Sequence, residues 1–215
     1  MIQTAPKMGR RNPSANIMET RSVNLPVLYF GTPVVLVSSL NPDGSTNLSP
    51  ISSYWALSNT LLIGLIETGQ CSRNLQRCQE LVLNLPDAAQ WPNVEAIAAT
   101  TGAEVVPDKK VQMGYRFEPN KFKCANLTPK ASECITPARV AECPIQIEAA
   151  LVRIHRIGED ADAMIAAEVK ALRVHVHTEI LSPEGRIHLE RWHPLYYVFR
   201  HYFSLGQHLG KNFRA

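Results

Sequence analysis

The chain of 215 residues lacks several features that would have placed it in a class at once. No apolar run approaches the ~18 residues that a membrane-spanning helix needs, so no membrane partner is expected. The opening stretch, MIQTAPKMGRRNPSAN, has no apolar core of the kind a secretory signal carries. It reads as a flexible arm, taken as residues 1–23, and a cytoplasmic location is expected. Charge of one sign is scarce as well. The formal net charge is +3 and the basic runs DKK and GRR are short and isolated, which argues against nucleic acid as a partner. The five cysteines, Cys71, Cys78, Cys124, Cys134 and Cys143, include no C-x-x-C pair, and their odd number suits neither a disulfide framework nor a zinc site. His175 and His177 alternate along a strand-like run but have no third ligand nearby in sequence, so no metal is expected. No G-x-G-x-x-G follows a strand, which argues against a Rossmann nucleotide site. There is no internal repeat and no low-complexity segment.

What is present is enough apolar material for a core, 45% of residues, distributed mostly in strand-like runs. PVLYFGTPVVLVSSL at 26–40 is apolar and β-branched. Asp43-Gly44 then marks a turn, because glycine accepts positive φ and aspartate bonds its own turn. Residues 45–49 return as a polar strand. TLLIGLIE at 60–67 is continuously apolar, as in a strand buried on both faces. SRNLQRCQE reads as a short helix with Ser72 as its N-cap, and LVLNLP at 81–86 as a strand stopped by Pro86. Residues 87–103 have a helical pattern, capped by Asp87, with Val94, Ile97 and Ala98 on one face and Gly102 at the end. Residues 105–144, with five prolines, form a long irregular excursion, and segments of that kind are usually functional or mobile. IQIEAALVRIHRIG at 145–158 and AEVKALRVHVHTEIL at 167–181 alternate as strands, and SPEG at 182–185 is a turn. In the tail, Leu195, Val198, Phe199, Tyr202, Phe203 and Leu209 fit a helical stripe, although their types favour strands. Six or seven strands in hairpins with short helical insertions make an all-β barrel.

Three stretches bring chemistry together. Ser52 and Ser53 offer hydroxyls and backbone N–H groups where a strand ends, and Tyr54 and Trp55 offer flat apolar surface. Gly64, near the end of the apolar strand, exposes backbone polar groups that suit the edge of a heterocycle. Gln70, Cys71, Ser72, Arg73 and Asn74 stand at a helix start, where free N–H groups and the helix dipole favour phosphate. Arg73 adds a forked cationic donor. Donors and a cation for a phosphate, beside a flat wall for a fused ring, are what flavin mononucleotide (FMN) requires.

The motifs PDGSTN, NLSPIS, LLIGLI, CSRNL and VLNL, in this order, resemble those of the flavin reductase-like family of FMN-binding split barrels. The likeness runs over about residues 24–181, with 24–182 as the barrel domain and 183–215 as an aromatic-rich extension packing on the barrel or on a partner. The resemblance implies a six-stranded antiparallel Greek-key barrel acting as a homodimer, with FMN at the interface. Ser52, Ser53 and Tyr54 would then contact the flavin, and Gln70 to Asn74 its phosphate. It further implies hydride transfer from NADH or NADPH to the flavin, in which the cofactor carries the chemistry and no catalytic acid or base is assigned. The sequence departs from the family in two places. Cys71 stands where the family has Thr, and the G-D-H motif of many NAD(P)H-using members is absent, leaving His155 as the nearest candidate. An FMN-holding electron carrier serving a protein acceptor, and a module for another ligand on the same barrel, therefore stay open.

Overall fold

The computed structural model describes residues 19–25, 27–158 and 163–213. Most of the arm expected over 1–23 lies outside the described residues. Seven strands build one antiparallel sheet: β1 (Val35–Leu40), β2 (Thr46–Ile51), β3 (Tyr54–Leu57), β4 (Thr60–Ile66), β5 (Glu80–Leu85), β6 (Ile145–Ile157) and β7 (Met164–Val176). Their order across the sheet is β2-β1-β5-β6-β7-β4-β3. The two outermost strands, β2 and β3, are consecutive in the chain and joined only by Ser52 and Ser53. So short a link brings the two edges together, and the sheet curls into a barrel that is split between them. The architecture is the expected all-β split barrel with short helical insertions; the sheet holds seven strands instead of six because β3 joins as an added edge.

Local chemistry explains the elements. The β1–β2 hairpin turns at Asp43-Gly44, where Gly44 has φ +84 and Asp43 Oδ1 accepts the Ser45 N–H at 2.9 Å. Helix α1 (Gln70–Cys78) follows β4 and packs Leu75, fully buried, into the barrel interior with Val35, Val37, Leu61, Ile63, Leu81, Leu83 and Ile165. Each such side chain contributes about 1.5–3 kcal/mol by leaving water. A second cluster lies on the outer side of β1 and β2. There helix α2 (Trp91–Ala98) supplies Val94 and Ile97, and Phe122, Leu127, Val140 and Leu195 complete it. Buried Asn84 stitches the two halves: its Nδ2 donates to Leu36 O at 2.9 Å and Ser38 Oγ at 3.0 Å, and its Oδ1 accepts from Val140 N at 2.8 Å. Glu148 holds residues 133–134 in the same way, accepting their N–H groups at 2.8 and 2.7 Å and facing His175 Nε2 at 2.7 Å.

Several local expectations change. Along β4, Leu61, Ile63 and Leu65 are buried, but the alternate residues Leu62 and Gly64 are only half covered; one face meets the core and the other belongs to the outside of the barrel. The helix start at 70 has Gly69 as N-cap with no side-chain cap. Ser72 instead lies inside the helix and donates to Ile66 O at 2.6 Å. Asp87 does cap, through a capping box with Gln90, but it caps a separate 3-10 turn over Ala88–Gln90; helix α2 follows with no side-chain cap and ends at Ala98, before the short strand Thr100–Thr101. In the run 26–40 regular strand begins only at Thr32. The tail is a β-hairpin, Tyr196–Val198 against His201–Phe203, not a helix. Phe199 and Arg200 both take positive φ, the conformation of a two-residue hairpin turn. Leu195 ties this tail to its own barrel, since it is 1% exposed and accepts from Val34 N at 2.8 Å. The excursion 105–144 carries two short helices, Asp108–Gln112 and Lys121–Cys124, which cover the second cluster and the mouth of the site. Among the described residues no helix is long and apolar enough to cross a membrane.

Candidate functional site

The split between β2 and β3 opens into a cavity of about 410 Å³, within the ~300–1,000 Å³ range of small-molecule sites. Its floor comes from the end of β2 and the link (Ser49 to Ser53), from the end of β4 (Gly64 to Ile66) and from the start of α1 (Gly69 to Ser72). Thr100, Thr101 and Gly102 close one side. Lys110, Tyr115 and Lys121 reach in from the excursion, and Tyr29, Tyr197 and Tyr202 form an aromatic wall.

Of the residues singled out in the sequence, Ser52, Ser53, Gly64, Gln70, Cys71 and Ser72 line this one cavity. Ser53 and Gly64 hold its edge, since the Gly64 N–H donates to Ser53 O at 2.8 Å. Tyr54, Trp55, Arg73 and Asn74 stand elsewhere. As neighbours on β3, Tyr54 and Trp55 point to opposite faces. Tyr54 packs against the barrel core and Trp55 is exposed on the outside. Arg73 is exposed beside the α1 start. Asn74 is 1% exposed and its amide is fully engaged: Nδ2 donates to Ser39 Oγ at 3.1 Å and Asn41 Oδ1 at 2.8 Å, while Oδ1 accepts from Gln70 Nε2 at 2.9 Å. It anchors α1 to β1. His155 lies on an exposed part of β6, 3.6 Å from Glu168 Oε2, and does not line the cavity.

The electrostatics at the helix start are one-sided. The first α1 amide to find an acceptor one turn back is that of Arg73, to Gly69 O at 3.1 Å. The Gln70, Cys71 and Ser72 amides therefore have no acceptor in the helix and add to the positive end of its dipole. Cys71 is buried, and burial pushes its thiol up to about 11, so it stands there as a neutral thiol. Opposite, Lys121 is 3% exposed and its Nζ donates to Leu48 O at 2.9 Å. Burial brings its ammonium down to about 8. An ammonium has three N–H donors, so with one given to Leu48 the other two remain for a ligand. Lys110 is also held below its ordinary value, by burial first and then by the charge of Arg73; its Nζ stands 5.6 Å from the Tyr115 ring centroid.

Sequence reasoning missed Lys121, Lys110, Thr100 to Gly102 and the tyrosines. Lys121 and Lys110 lie in the irregular excursion, where no periodicity says which way a side chain points. One signal was available at Gly102. A Cβ there would stand 2.5 Å from Asn47 Oδ1 and 3.1 Å from Gln70 Cγ, so this glycine permits a close approach and does more than end a helix.

Comparison with known proteins agrees with this architecture. The Bacillus subtilis (strain 168) protein YdfE is 41% identical over 189 residues, covering 88% of this chain and 91% of its own. Among solved structures, the flavoredoxin of Desulfovibrio vulgaris (Miyazaki F) superposes with a TM-score of 0.75 at 19% identity, over 92% of this chain and 99% of that one. An FMN-binding domain of a flavin reductases-like enzyme from Shewanella baltica OS155 superposes with a TM-score of 0.64 at 16% identity, over 84% and 89%. The model of the flavin reductase like domain matches residues 27–206, and with a match running from the strand before β1 through the tail hairpin, this chain belongs to that family.

Proposed function

We propose that the cavity holds FMN and that the protein is an oxidoreductase passing hydride from NADH or NADPH to it. The observation that carries this reading is the pairing of an uncapped α1 N-terminus with buried Lys121 across one cavity. Unused amide donors, a helix dipole and a desolvated ammonium together suit a phosphate dianion. The amides of Gln70, Cys71 and Ser72 and the Lys121 ammonium would hold the phosphate. Cys71 supplies no second charge there, and the Ser72 hydroxyl is already given to Ile66 O, so the phosphate relies on backbone and lysine more than on side-chain hydroxyls. Ser52, Ser53 and the backbone at Gly64 would border the ring system, with the tyrosine wall keeping water from it. When bound, FMN supplies the two-electron chemistry; the protein binds, orients and shields it.

A homodimer is part of the proposal. Trp55 and Leu57 are each more than half exposed and, alternating with core-packed Tyr54 on β3, lie on the outer side of the sheet. The half-covered Leu62 shares that outer side, facing Trp55 across the β3–β4 pair. Apolar surface of this kind marks an interface, and a second copy would cover it beside the site. The five cysteines, none of them in a disulfide, are in keeping with a reducing cytoplasm.

The second reading is an FMN-holding electron carrier for a protein acceptor, favoured by the missing G-D-H motif. Stopped-flow mixing of the FMN-loaded protein with NADH and with NADPH separates the two. Bleaching of the flavin within seconds supports the reductase; no bleaching by either nucleotide leaves the carrier. Purified protein that neither carries nor quenches flavin would rule out both and leave a module for another ligand.

A further inference from the structure

Ser72, Thr100 and Thr101 are the hydroxyl side chains that line the cavity while more than nine-tenths buried. A buried hydroxyl needs an acceptor for its own proton. Ser72 donates to Ile66 O at 2.6 Å, and Thr100 donates to Ile97 O at 2.8 Å. Thr101 differs. Its Oγ1 accepts the Ala103 N–H at 3.2 Å, and its own O–H meets no acceptor among the described residues.

The fold sets this unspent donor at the closed end of the cavity. The backbone of Thr101 is fixed by the parallel pairing of Thr100–Thr101 with Arg116–Phe117, and Thr101 O accepts the Glu118 N–H at 2.9 Å. The next residue, Gly102, is wedged between two elements of the site, since a Cβ on it would stand 2.5 Å from Asn47 Oδ1 and 3.1 Å from Gln70 Cγ. Gln70 opens α1. Asn47 precedes Leu48, whose carbonyl holds Lys121 Nζ at 2.9 Å. Thr101 therefore joins the cavity beside the α1 start and the anchor of Lys121. Cys71, Ser72, Thr101 and Lys121 are all buried, so water competes little for a donor there. Cys71 itself is a thiol, which is a weak donor.

We propose that the Thr101 hydroxyl is a further phosphate ligand, donating to the anion held by the α1 amides and Lys121. The inference rests on the reading that this end of the cavity takes the FMN phosphate. A charged acceptor rewards an unspent buried donor more than a neutral one does.

Binding is read by quenching of flavin fluorescence, for FMN and for riboflavin, which lacks the phosphate. Thr101→Val keeps the shape and removes the donor. It is expected to weaken FMN by about tenfold or more and riboflavin by less than about twofold, the pattern of one lost hydrogen bond to a charged group. Thr101→Ser keeps the hydroxyl and should stay within about threefold of the unmodified protein. Thr101→Cys keeps a sulfur acceptor for the Ala103 N–H but only a weak donor. It should lose FMN affinity as the valine variant does, and it serves if that variant does not fold. The inhibition constant of inorganic phosphate against FMN should rise with the same substitutions, which reads the subsite without the ring. Equal weakening of FMN and riboflavin overturns the proposal, since Thr101 then only shapes the wall. An unmodified protein that binds FMN no more tightly than riboflavin ends the phosphate reading, and the proposal falls with it. A preference for FMN that survives in both Thr101→Val and Thr101→Cys overturns the proposal alone.

Discussion

Ser53 and Gly64 meet across the mouth of the split barrel so closely that no side chain fits between them. The Gly64 amide donates to Ser53 O at 2.8 Å, and a Cβ on Gly64 would stand 2.7 Å from Ser53 Cβ. Gly64→Ala is therefore expected to push the Ser52–Ser53 link away from β4. Overpacking of this kind costs about 1–3 kcal/mol. FMN binding should weaken with it, read by fluorescence quenching beside a urea melt. An alanine variant with unchanged stability and unchanged FMN affinity would show that the link is not part of the site.

Lys121 separates binding from stability. Its buried ammonium is unfavourable to the empty protein, and on the proposed reading it meets the FMN phosphate. Lys121→Met is expected to lower FMN affinity by about tenfold or more, the loss of one charge-assisted contact. The empty protein should melt no lower than before, because a desolvated amine has been replaced by a side chain of similar length. A lower melting temperature with unaltered FMN affinity would assign the lysine to structure alone.

The pH dependence follows from the same residue. Its ammonium titrates at about 8 in the folded chain against an ordinary 10.5. Between those values the unfolded chain holds the proton and the folded one does not. The stability of the empty protein should therefore rise with pH through that window, and burial of the charge costs the most below it. FMN affinity should move the other way, falling by about tenfold per pH unit above pH 8 as the ammonium is lost. In Lys121→Met the rise in stability through that window should be lost, leaving the fall above about pH 9 that the buried Cys71 thiol contributes, and the lysine-linked fall in FMN affinity should be lost with it. Titrations at pH 7, 8 and 9, with matching melts, decide it.

Asn74 is expected to act through the fold. Its amide makes three hydrogen bonds inside the protein, and Asn74→Ala leaves Ser39, Asn41 and Gln70 with lost partners. A loss of about 1–3 kcal/mol is expected, seen as a lower urea midpoint with an unchanged slope. Full stability with lost FMN binding would instead make Asn74 a direct ligand.

Assembly can be tested on the outer face. A charge at Trp55 or Leu57, as in Trp55→Glu or Leu57→Glu, should leave the barrel folded, because both side chains are more than half exposed on the outer side of β3. Light scattering should then report monomers where the unmodified protein gives dimers. A dimer that survives both substitutions would place the contact elsewhere.

Much of the barrel was legible because its signals are local. Asp43-Gly44 is a turn in almost any context, and the alternation over Ile165 to Val169 in β7 marks one dry face and one wetter face, whereas β6 is buried on both faces from Gln146 to Ala149. The motif order around Ser52, Gly64 and Cys71 pointed to one site, and six of the ten residues singled out do line one cavity. The exceptions have a common cause. Tyr54 and Trp55 look like one aromatic surface when read along the chain, but a strand sends neighbours to opposite sides. Asn74 looks like a free donor, but a residue 35 positions away, Ser39, claims it. The tail's helical spacing gave way to a two-residue turn at Phe199 and Arg200, where positive φ at both positions outweighs periodicity.

The amino-acid order alone determined most of the barrel strands, the hairpin turn, a short helix after β4 and the family to which they belong, since each depends on neighbours within a few residues. Only the tertiary structure decided that the SPISSYW stretch closes the two edges of one sheet. The same holds for Lys121 and Lys110, which come from an irregular excursion to face α1 across the cavity. Those placements depend on contacts tens of residues apart, between buried surfaces and like charges whose energies do not exist until the barrel has closed.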